Sequence, residues 1–431
     1  MADLAIIEIF RDGQWLPSAS LEPLGGEHAR VDYLPEYVFD QEKPWPISLT
    51  FPVQFGVSFD HDPRPQLPAF LYDLVPQGPG RKLLVELLGL RDHDGLGLPL
   101  LLAGAFNPIG ALRIDQAVSF HESFLDQQAL PANFTRGFRL VDLVMRQPEV
   151  IESLSAHAML SAGTTGVQGA APKFLLSADA DGLLHPDMAL ADSEARSHWL
   201  VKGPRGRHRD DHLIIRAEAA YLRVAAACGL HVHRVDQIIV HGNWLQLPRF
   251  DRQVDDHGVH RLAQESLASL AGLQGFGKPC SLNRLLGAIR EHSSAPMDDT
   301  LEFMKRDVLN QALRNTDNHA RNHAMQRLPN GEIRLTPLFD FAPMFRDPEL
   351  IPRALHWIDH NGRRLRDWSP ILEALKLPDS ERTRFAGALS EFAETVARLP
   401  EIAKDNGVDN EILDACRYSI ENQAESLARL N

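Results

Sequence analysis

Cysteine is scarce in this chain. The three cysteines among 431 residues, Cys228, Cys280 and Cys416, are odd in number, far apart and form no C-x-x-C. A disulfide framework is excluded, and a reducing compartment is expected. Positive charge is also short: 44 Lys and Arg against 58 Asp and Glu leave a formal net charge of −14. An acidic chain is poorly suited to bind nucleic acid unaided, because phosphates must be met by clustered cations. No apolar run reaches the roughly 18 residues that a membrane-spanning helix needs. The opening residues, MADLAIIEIFRDGQW, have neither a basic n-region nor a long apolar h-region. The expectation is a cytoplasmic protein without membrane association. What is plentiful is apolar content, 44% of a chain long enough for more than one core.

The chemically richest stretch is Asn315-Thr316-Asp317-Asn318-His319-Ala320-Arg321-Asn322-His323, followed by Leu335-Thr336-Pro337-Leu338-Phe339-Asp340-Phe341-Ala342. The spacing of Asp317 and Asn322 is that of a protein-kinase catalytic loop. There the aspartate accepts the substrate hydroxyl proton and the asparagine holds a metal. Asp340, in an Asp-Phe-Ala version of Asp-Phe-Gly, is the candidate second metal ligand. Phosphoryl transfer asks for little covalent work from a protein. It needs an in-line acceptor oxygen and neutralised phosphate charge. Mg²⁺ takes oxygen ligands, so a carboxylate and an amide oxygen with ATP phosphates form a reasonable shell. Spacing alone leaves a helix cap and a solvated polar residue open. The rival chemistry is zinc, because His319 and His323 are spaced as in H-E-x-x-H, but Ala320 stands where the general-base Glu belongs.

Taken in order, residues up to about 60 look β-rich, with a strand at 5–10, a hairpin signal at Asp12-Gly13, and strands at 31–34 and 47–53. Residues 67–90 have an amphipathic helical pattern broken at 76–80, and 110–114 reads as a closing strand. A glycine-rich run, 161–171, enters an apolar strand. Such a loop lets backbone N–H groups approach phosphates, although a plain surface loop fits as well. Lys202 ends a short strand, where a kinase keeps its phosphate-pairing lysine. A helix at 214–227 follows, with Glu218 in its first turns, able to pair with Lys202 or to remain a solvated carboxylate. Alternating strands occupy 231–250. From about 261 the pattern is helical, with helices at 263–272, 281–290, 298–313, 379–398 and 409–428. A β-rich half followed by an α-rich half, with the motifs near the junction, is an α+β layout.

These segments together resemble the HipA family, serine/threonine kinases that act as toxins in bacterial type II toxin–antitoxin pairs. The resemblance runs from Arg30-Val31-Asp32-Tyr33-Leu34-Pro35 through Leu74-Val75-Pro76-Gln77-Gly78 and Gly110-Ala111-Leu112. It continues in Gly166-Val167-Gln168, Pro172-Lys173, Val201-Lys202-Gly203-Pro204, Arg249-Phe250-Asp251-Arg252, Thr316-Asp317-Asn318-His319-Ala320-Arg321-Asn322 and Thr336-Pro337-Leu338-Phe339-Asp340. It implies a two-lobed protein-kinase-like α+β fold. Residues 1–135 would be the β-rich N-terminal domain, 136–250 the kinase N-lobe and 251–431 an all-α C-lobe.

By the same resemblance, Asp317 is catalytic, Asn322 and Asp340 bind Mg²⁺, and Lys202, with Lys173 and Glu218, serves the ATP phosphates. The strand ending at Arg249 and Phe250 supplies the adenine hinge, and 163–169 is a loop open to autophosphorylation. The implied partners are a protein substrate, such as an aminoacyl-tRNA synthetase, and a HipB-like helix-turn-helix antitoxin, with DNA reached only through that antitoxin. The chain departs from the family pattern in places. Gly169-Ala170-Ala171 is inserted before Pro172-Lys173, and the loop hydroxyls are Ser161, Thr164 and Thr165 rather than a clear phosphoacceptor serine. Ala217 precedes Glu218, and Pro248 precedes Arg249. The alternatives are a pseudokinase that acts with the antitoxin in operator repression, and a kinase of lipids or small molecules.

Overall fold

Apolar residues alternate at Ala5, Ile7 and Ile9, and all three are fully buried in the first strand, β1 (Ala5–Arg11). The computed structural model describes residues 4–26, 28–40, 42–55, 67–127, 137–145, 172–256 and 258–430. The expected hairpin forms at Asp12 and Gly13, both with left-handed backbone (φ 51 and 80), which suits the twist of the flanking strands. It leads into β2 (Gln14–Gly25) and β3 (His28–Tyr33), and β4 (Leu112–Ile114) closes on the far side of β1 in the order β3-β2-β1-β4.

The strand expected at 47–53 is not formed, and only an isolated bridge joins Ser48 and Phe51. Pro46 and Pro52 lack the N–H groups a ladder needs. A side chain takes over: the Tyr33 hydroxyl accepts from Ile47 N (3.0 Å) and donates to Phe51 O (2.7 Å).

Helices α1 (Pro35–Asp40), α2 (Gly78–Leu87) and α3 (Gly97–Gly104) bury Tyr37, Leu84, Leu100 and Leu101 in the same core as this sheet, and the break expected at 76–80 is shorter, since α2 already starts at Gly78 with Pro79 in its first turn. In α4 (Asp115–Gln127) the Asp115 carboxylate accepts from Ile6 N at 2.7 Å, which fixes the helix start against β1. After α5 (Leu140–Val144) come β5 (Lys173–Ala178), β6 (Leu184–Pro186) and β7 (Ser197–Lys202), with β5 antiparallel to both others.

The next helix, α6 (Arg209–Ala227), starts five residues earlier than expected. The His208 ring accepts from Asp210 N, and Asp210 and Asp211 suit the positive helix end. Glu218 therefore lies in mid-helix and is buried. Gly229 (φ 81) ends the helix, with Leu230 N returning to Ala225 O. Then come β8 (Ile239–His241), β9 (Trp244–Pro248), the antiparallel pair β10 (Arg252–Asp255) and β11 (Gly258–Arg261), β12 (Gln264–Ser266) and the single turn α7 (Leu267–Leu270).

The rest is mostly helical: α8 (Leu282–His292), α9 (Pro296–Ala312), α10 (Trp368–Ala374), α11 (Asp379–Ala397), α12 (Leu399–Asp405) and α13 (Asn410–Ala428). The stretch expected to be all-α nevertheless contains β10–β12 and the short strands β13 (Ala324–Arg327), β14 (Ile333–Leu335), β15 (Trp357–Ile358) and β16 (Arg364–Leu365). Runs this short are too brief for a helix–strand decision by periodicity.

The chain divides into two compact units. One holds Met1–Gly203, Gln246–Lys278 and Gln326–Pro329; the other holds Pro204–Leu245, Pro279–Met325 and Asn330–Asn431. Within the second, Trp357 and Trp368 meet edge to face at 6.0 Å, with Phe385, Leu389, Ile412 and Ile420 buried in its helices. No helix among the described residues is long and apolar enough to cross a membrane.

Candidate active site

Helix α9 ends at Ala312, and Arg314 then adopts a left-handed conformation (φ 55) that turns the chain back. Asn315 makes this return permanent. Its amide nitrogen donates to Asn310 Oδ1 (3.0 Å) and to the backbone oxygen of Asp340 (3.4 Å). One buried asparagine thus fastens the 315–323 run to the segment that carries Asp340.

The loop beyond is built by its own polar side chains. Asn318 makes a reciprocal pair with the Leu355 backbone, 3.3 Å in both directions. Residues Ala320–Asn322 form one 3₁₀ turn, closed by Asn322 N on His319 O at 2.9 Å. The Asn322 amide nitrogen donates to Asp317 O at 2.7 Å. That bond fixes which end of the amide faces the backbone, so Oδ1 is the end turned away from that carbonyl. The His319 ring stands 3.7 Å from the Asp317 carboxylate.

Buried charge supports the loop from below. Arg306 donates to Thr336 O (2.8 Å) and to Glu302 (2.9 Å), and Thr336 N donates to Ala324 O (2.9 Å), which ties the start of the second motif to the strand that follows the first. Asp307 accepts from Trp357 Nε1 (2.8 Å) and Gln311 (2.9 Å) and pairs with Arg353. Phe341 is buried against Tyr221 of α6 at 5.2 Å. Asp340 itself has φ 51, a conformation in which short polar residues are enriched.

The second unit therefore brings Asp317, Asn322 and Asp340 into one locally braced constellation. Its donor set is oxygen only, from a carboxamide and carboxylates, which suits a hard cation such as Mg²⁺. Two buried polar atoms beside it, Asn315 Oδ1 and Thr316 Oγ1, have no hydrogen-bond partner, as expected beside a polar ligand site. The residues present fit the group.

A zinc site does not fit. His319 and His323 flank a 3₁₀ turn and share no α-helical face. His323 is buried edge-on to Phe303 at 5.2 Å, and burial pushes its imidazole down to about 3. Among the described residues no group of three or more His, Cys, Asp or Glu could hold a metal.

The first unit contributes separate pieces. Lys173 and Lys202 are directly opposite each other on β5 and β7, and both are buried. Arg249 is fully engaged: it holds Asp251 with two bonds (2.9 and 2.7 Å) and Asp187 with one (2.5 Å). Burial pushes both carboxyls up, and the Arg249 charge outweighs it and holds them below the usual carboxylate range. Ser177 (2.6 Å) and Asn107 (2.9 Å) complete Asp187, while Gly110 N (3.0 Å) and Arg252 (2.6 Å) complete Asp251. Arg249 is thus a structural cation, and its backbone N donates to His198 O at 2.9 Å. The Phe250 oxygen accepts from Gln326 at 3.0 Å.

Gly166, Val167 and Gln168, with Ser161, Thr164 and Thr165, lie outside the described residues. Sequence reasoning missed the roles of Asn315, Asn318, Arg306 and Asp187. Asn315 was visible next to Thr316-Asp317, but nothing in the spacing announces a tether to residue 340.

The family model for HipA-like C-terminal domains matches residues 165–401 of this chain. No curated protein matches it. Among solved structures, one from the toxin–antitoxin complex of HipA, HipB and operator DNA of Shewanella oneidensis MR-1 is similar with a TM-score of 0.66 and 17% identity, over 98% of this chain and 97% of that one. The Helicobacter pylori proinflammatory kinase CtkA overlaps at a TM-score of 0.38 and 16% identity, over 54% of this chain and 87% of that one. At these identities the first likeness shows a shared fold, α+β and of HipA type, and the second is too distant to weigh.

Proposed function

This chain belongs to the family of HipA-like C-terminal domains, and we propose that it is an ATP- and Mg²⁺-dependent protein serine/threonine kinase of the toxin type. One observation supports this above all. The Asn322 amide is tied to the Asp317 backbone, and Asn315 ties the same loop to Asp340, so a proton acceptor and two metal-directed oxygens share one rigid frame. Asp317 accepts the proton of a substrate hydroxyl and aims its oxygen. Asn322 and Asp340 hold Mg²⁺, which when bound neutralises phosphate charge. Lys202 and Lys173 meet the phosphates, Glu218 orients a lysine, and the segment at Arg249 and Phe250 offers backbone to adenine. The acceptor is a Ser or Thr of a translation protein such as an aminoacyl-tRNA synthetase. The similar Shewanella protein was solved with HipB and operator DNA, which favours a helix-turn-helix antitoxin as partner here, with DNA contacted through it.

The test is transfer of γ-labelled phosphate from ATP into a cell lysate by the unmodified protein and by Asp317→Ala. A labelled band seen only with the unmodified protein supports the reading. Absence of any band while ATP and Mg²⁺ still raise the melting temperature favours a pseudokinase that works through its antitoxin.

A further inference from the structure

The segment that leaves Asp340 does not wander. Met344–Arg346 form a 3₁₀ turn, and the two residues after Phe345 are charged and engaged. Arg346 donates through Nε and Nη2 to Asp210 Oδ1 (3.1 and 2.7 Å) and through Nη2 to Glu411 Oε1 (2.6 Å). Glu411, in the first turn of α13, also receives Arg209 at 2.5 Å. One residue on, Asp347 is buried and meets Arg205 at 3.4 Å; Arg205 also reaches Asp211 (3.5 Å) and Glu349 (3.1 Å). Gly206 leaves room here, since a Cβ there would lie 2.9 Å from an Asp211 carboxylate oxygen.

Asp210 and Asp211 open α6, and Glu218 is on the same helix. Asp211, Ile215, Glu218, Leu222 and Ala225 follow at spacings of four and three, so they form one face, and all are buried. Whatever fixes the first turn of α6 fixes the rotation and axial position of Glu218 along a rigid rod. Single exposed ion pairs hold little. Here a guanidinium spans two carboxylates on two helices, and a second arginine spans three more, so the charges act as a network.

We propose that Arg346, seconded by Arg205, is a positioning residue: it latches the segment leaving Asp340 to the first turn of α6, so that the metal-directed Asp340 and the buried Glu218 are held in one register. The proposal rests on the phosphotransfer reading above and adds a means of assembly to it. The role assigned to Arg346 is indirect: it acts through Asp340 and α6.

The experiment is a double-mutant cycle of Arg346→Ala and Asp210→Ala, followed by phosphotransfer kinetics and by hydrogen exchange. Each single change is expected to lower kcat about ten-fold and to raise the Mg²⁺ needed for half-maximal rate, with KM for the acceptor protein unchanged. The double variant is expected to be no slower than Arg346→Ala alone, because the Arg346–Asp210 contact is already lost there, while Asp210→Ala by itself leaves Arg346 on Glu411. Amides at 341–350 and 209–214 should exchange faster in all three variants. Losses that multiply, or that follow melting temperature alone, overturn the proposal, as does faster exchange with unchanged kcat. If the unmodified protein transfers no phosphate, the kinase reading falls. Exchange then decides the latch by itself, and protection retained at either segment overturns it.

Discussion

Lys173 and Lys202 stand opposite one another on adjacent antiparallel strands, and they form a non-hydrogen-bonded pair. Gly203 N donates to Pro172 O at 2.8 Å, which makes 172 and 203 the bonded pair and puts the next residues in the closer kind of opposition. Side chains at such positions share one face of the sheet, and like charges there repel. Both lysines are also buried. Two ammonium groups placed this way suit a ligand carrying several negative charges.

The first prediction follows from that pair. Lys202→Met and Lys173→Met should each shrink the rise in melting temperature caused by ATP and Mg²⁺, and the double change should remove it. Without nucleotide, each single variant should melt within a few degrees of the unmodified protein, because relief of repulsion offsets the lost contact. Thermal melts with and without nucleotide decide it. An undiminished nucleotide shift in the double variant would remove both lysines from the site.

At Asp340 the backbone separates chemistry from folding. Its left-handed φ of 51 is tolerated by Asn but strains Ala. Asp340→Asn should keep the melting temperature and lose at least about 100-fold in phosphotransfer. Asp340→Ala should lose the activity and also melt lower. Equal melting of the two would show that the left-handed turn does not constrain this position.

The buried quartet Asp187, Arg249, Asp251 and Arg252 should be intolerant of partial removal. Asp251→Asn leaves Arg249 and Arg252 short of a counter-charge, and the expected loss is about 3–5 kcal/mol in urea unfolding. The acid response has a definite sign. Asp251 is depressed in the fold below its unfolded value of 3.8, so its stabilisation is complete above that value and fades as pH falls toward the folded one. Unfolding followed from pH 5 down to pH 2 should show a shallower decline in Asp251→Asn than in the unmodified protein.

Glu265 behaves in the opposite way. Burial pushes its carboxyl up from 4.5 to about 7, despite bonds from Ser269 Oγ (2.6 Å), Leu49 N (2.8 Å) and Ser48 Oγ (2.8 Å). The stability it contributes is fully present below 4.5 and is lost as pH rises through about 7. Glu265→Gln keeps the shape: its oxygen can accept from Leu49 N while its nitrogen donates to hydroxyls that can rotate. This variant should be the more stable protein at pH 8, by a margin of the order of 3 kcal/mol, and should lose most of the pH dependence between pH 5 and 8. Denaturation at three pH values would measure both effects, and parallel curves for the two proteins would refute the assignment.

Much was legible in advance because the signals were local. The Asp12-Gly13 turn and the helices at 281–290, 298–313, 379–398 and 409–428 depend on nearest neighbours and periodicity, while the order of motifs carries only a resemblance to the HipA family. The missing strand at 47–53 was decided by two prolines and by the hydroxyl of Tyr33, 14 residues before Ile47. The early start of α6 was decided by a histidine cap that helix periodicity does not register.

By itself, the sequence determined the residue types at the candidate site, the spacing of Asp317 and Asn322, and the α+β character of the chain, since each follows from covalent order and local propensity. Only the tertiary structure decided the rest. It returned residues 246–278 and 326–329 to the first unit, turned Arg249 into a buried structural cation, and made Asn315 the tether between the Asp317 loop and Asp340. The physical reason is common to all three. Buried charges and amides must find partners, and those partners lie far away in sequence, 142 residues for Arg252 and Gly110 and 217 for Glu265 and Ser48.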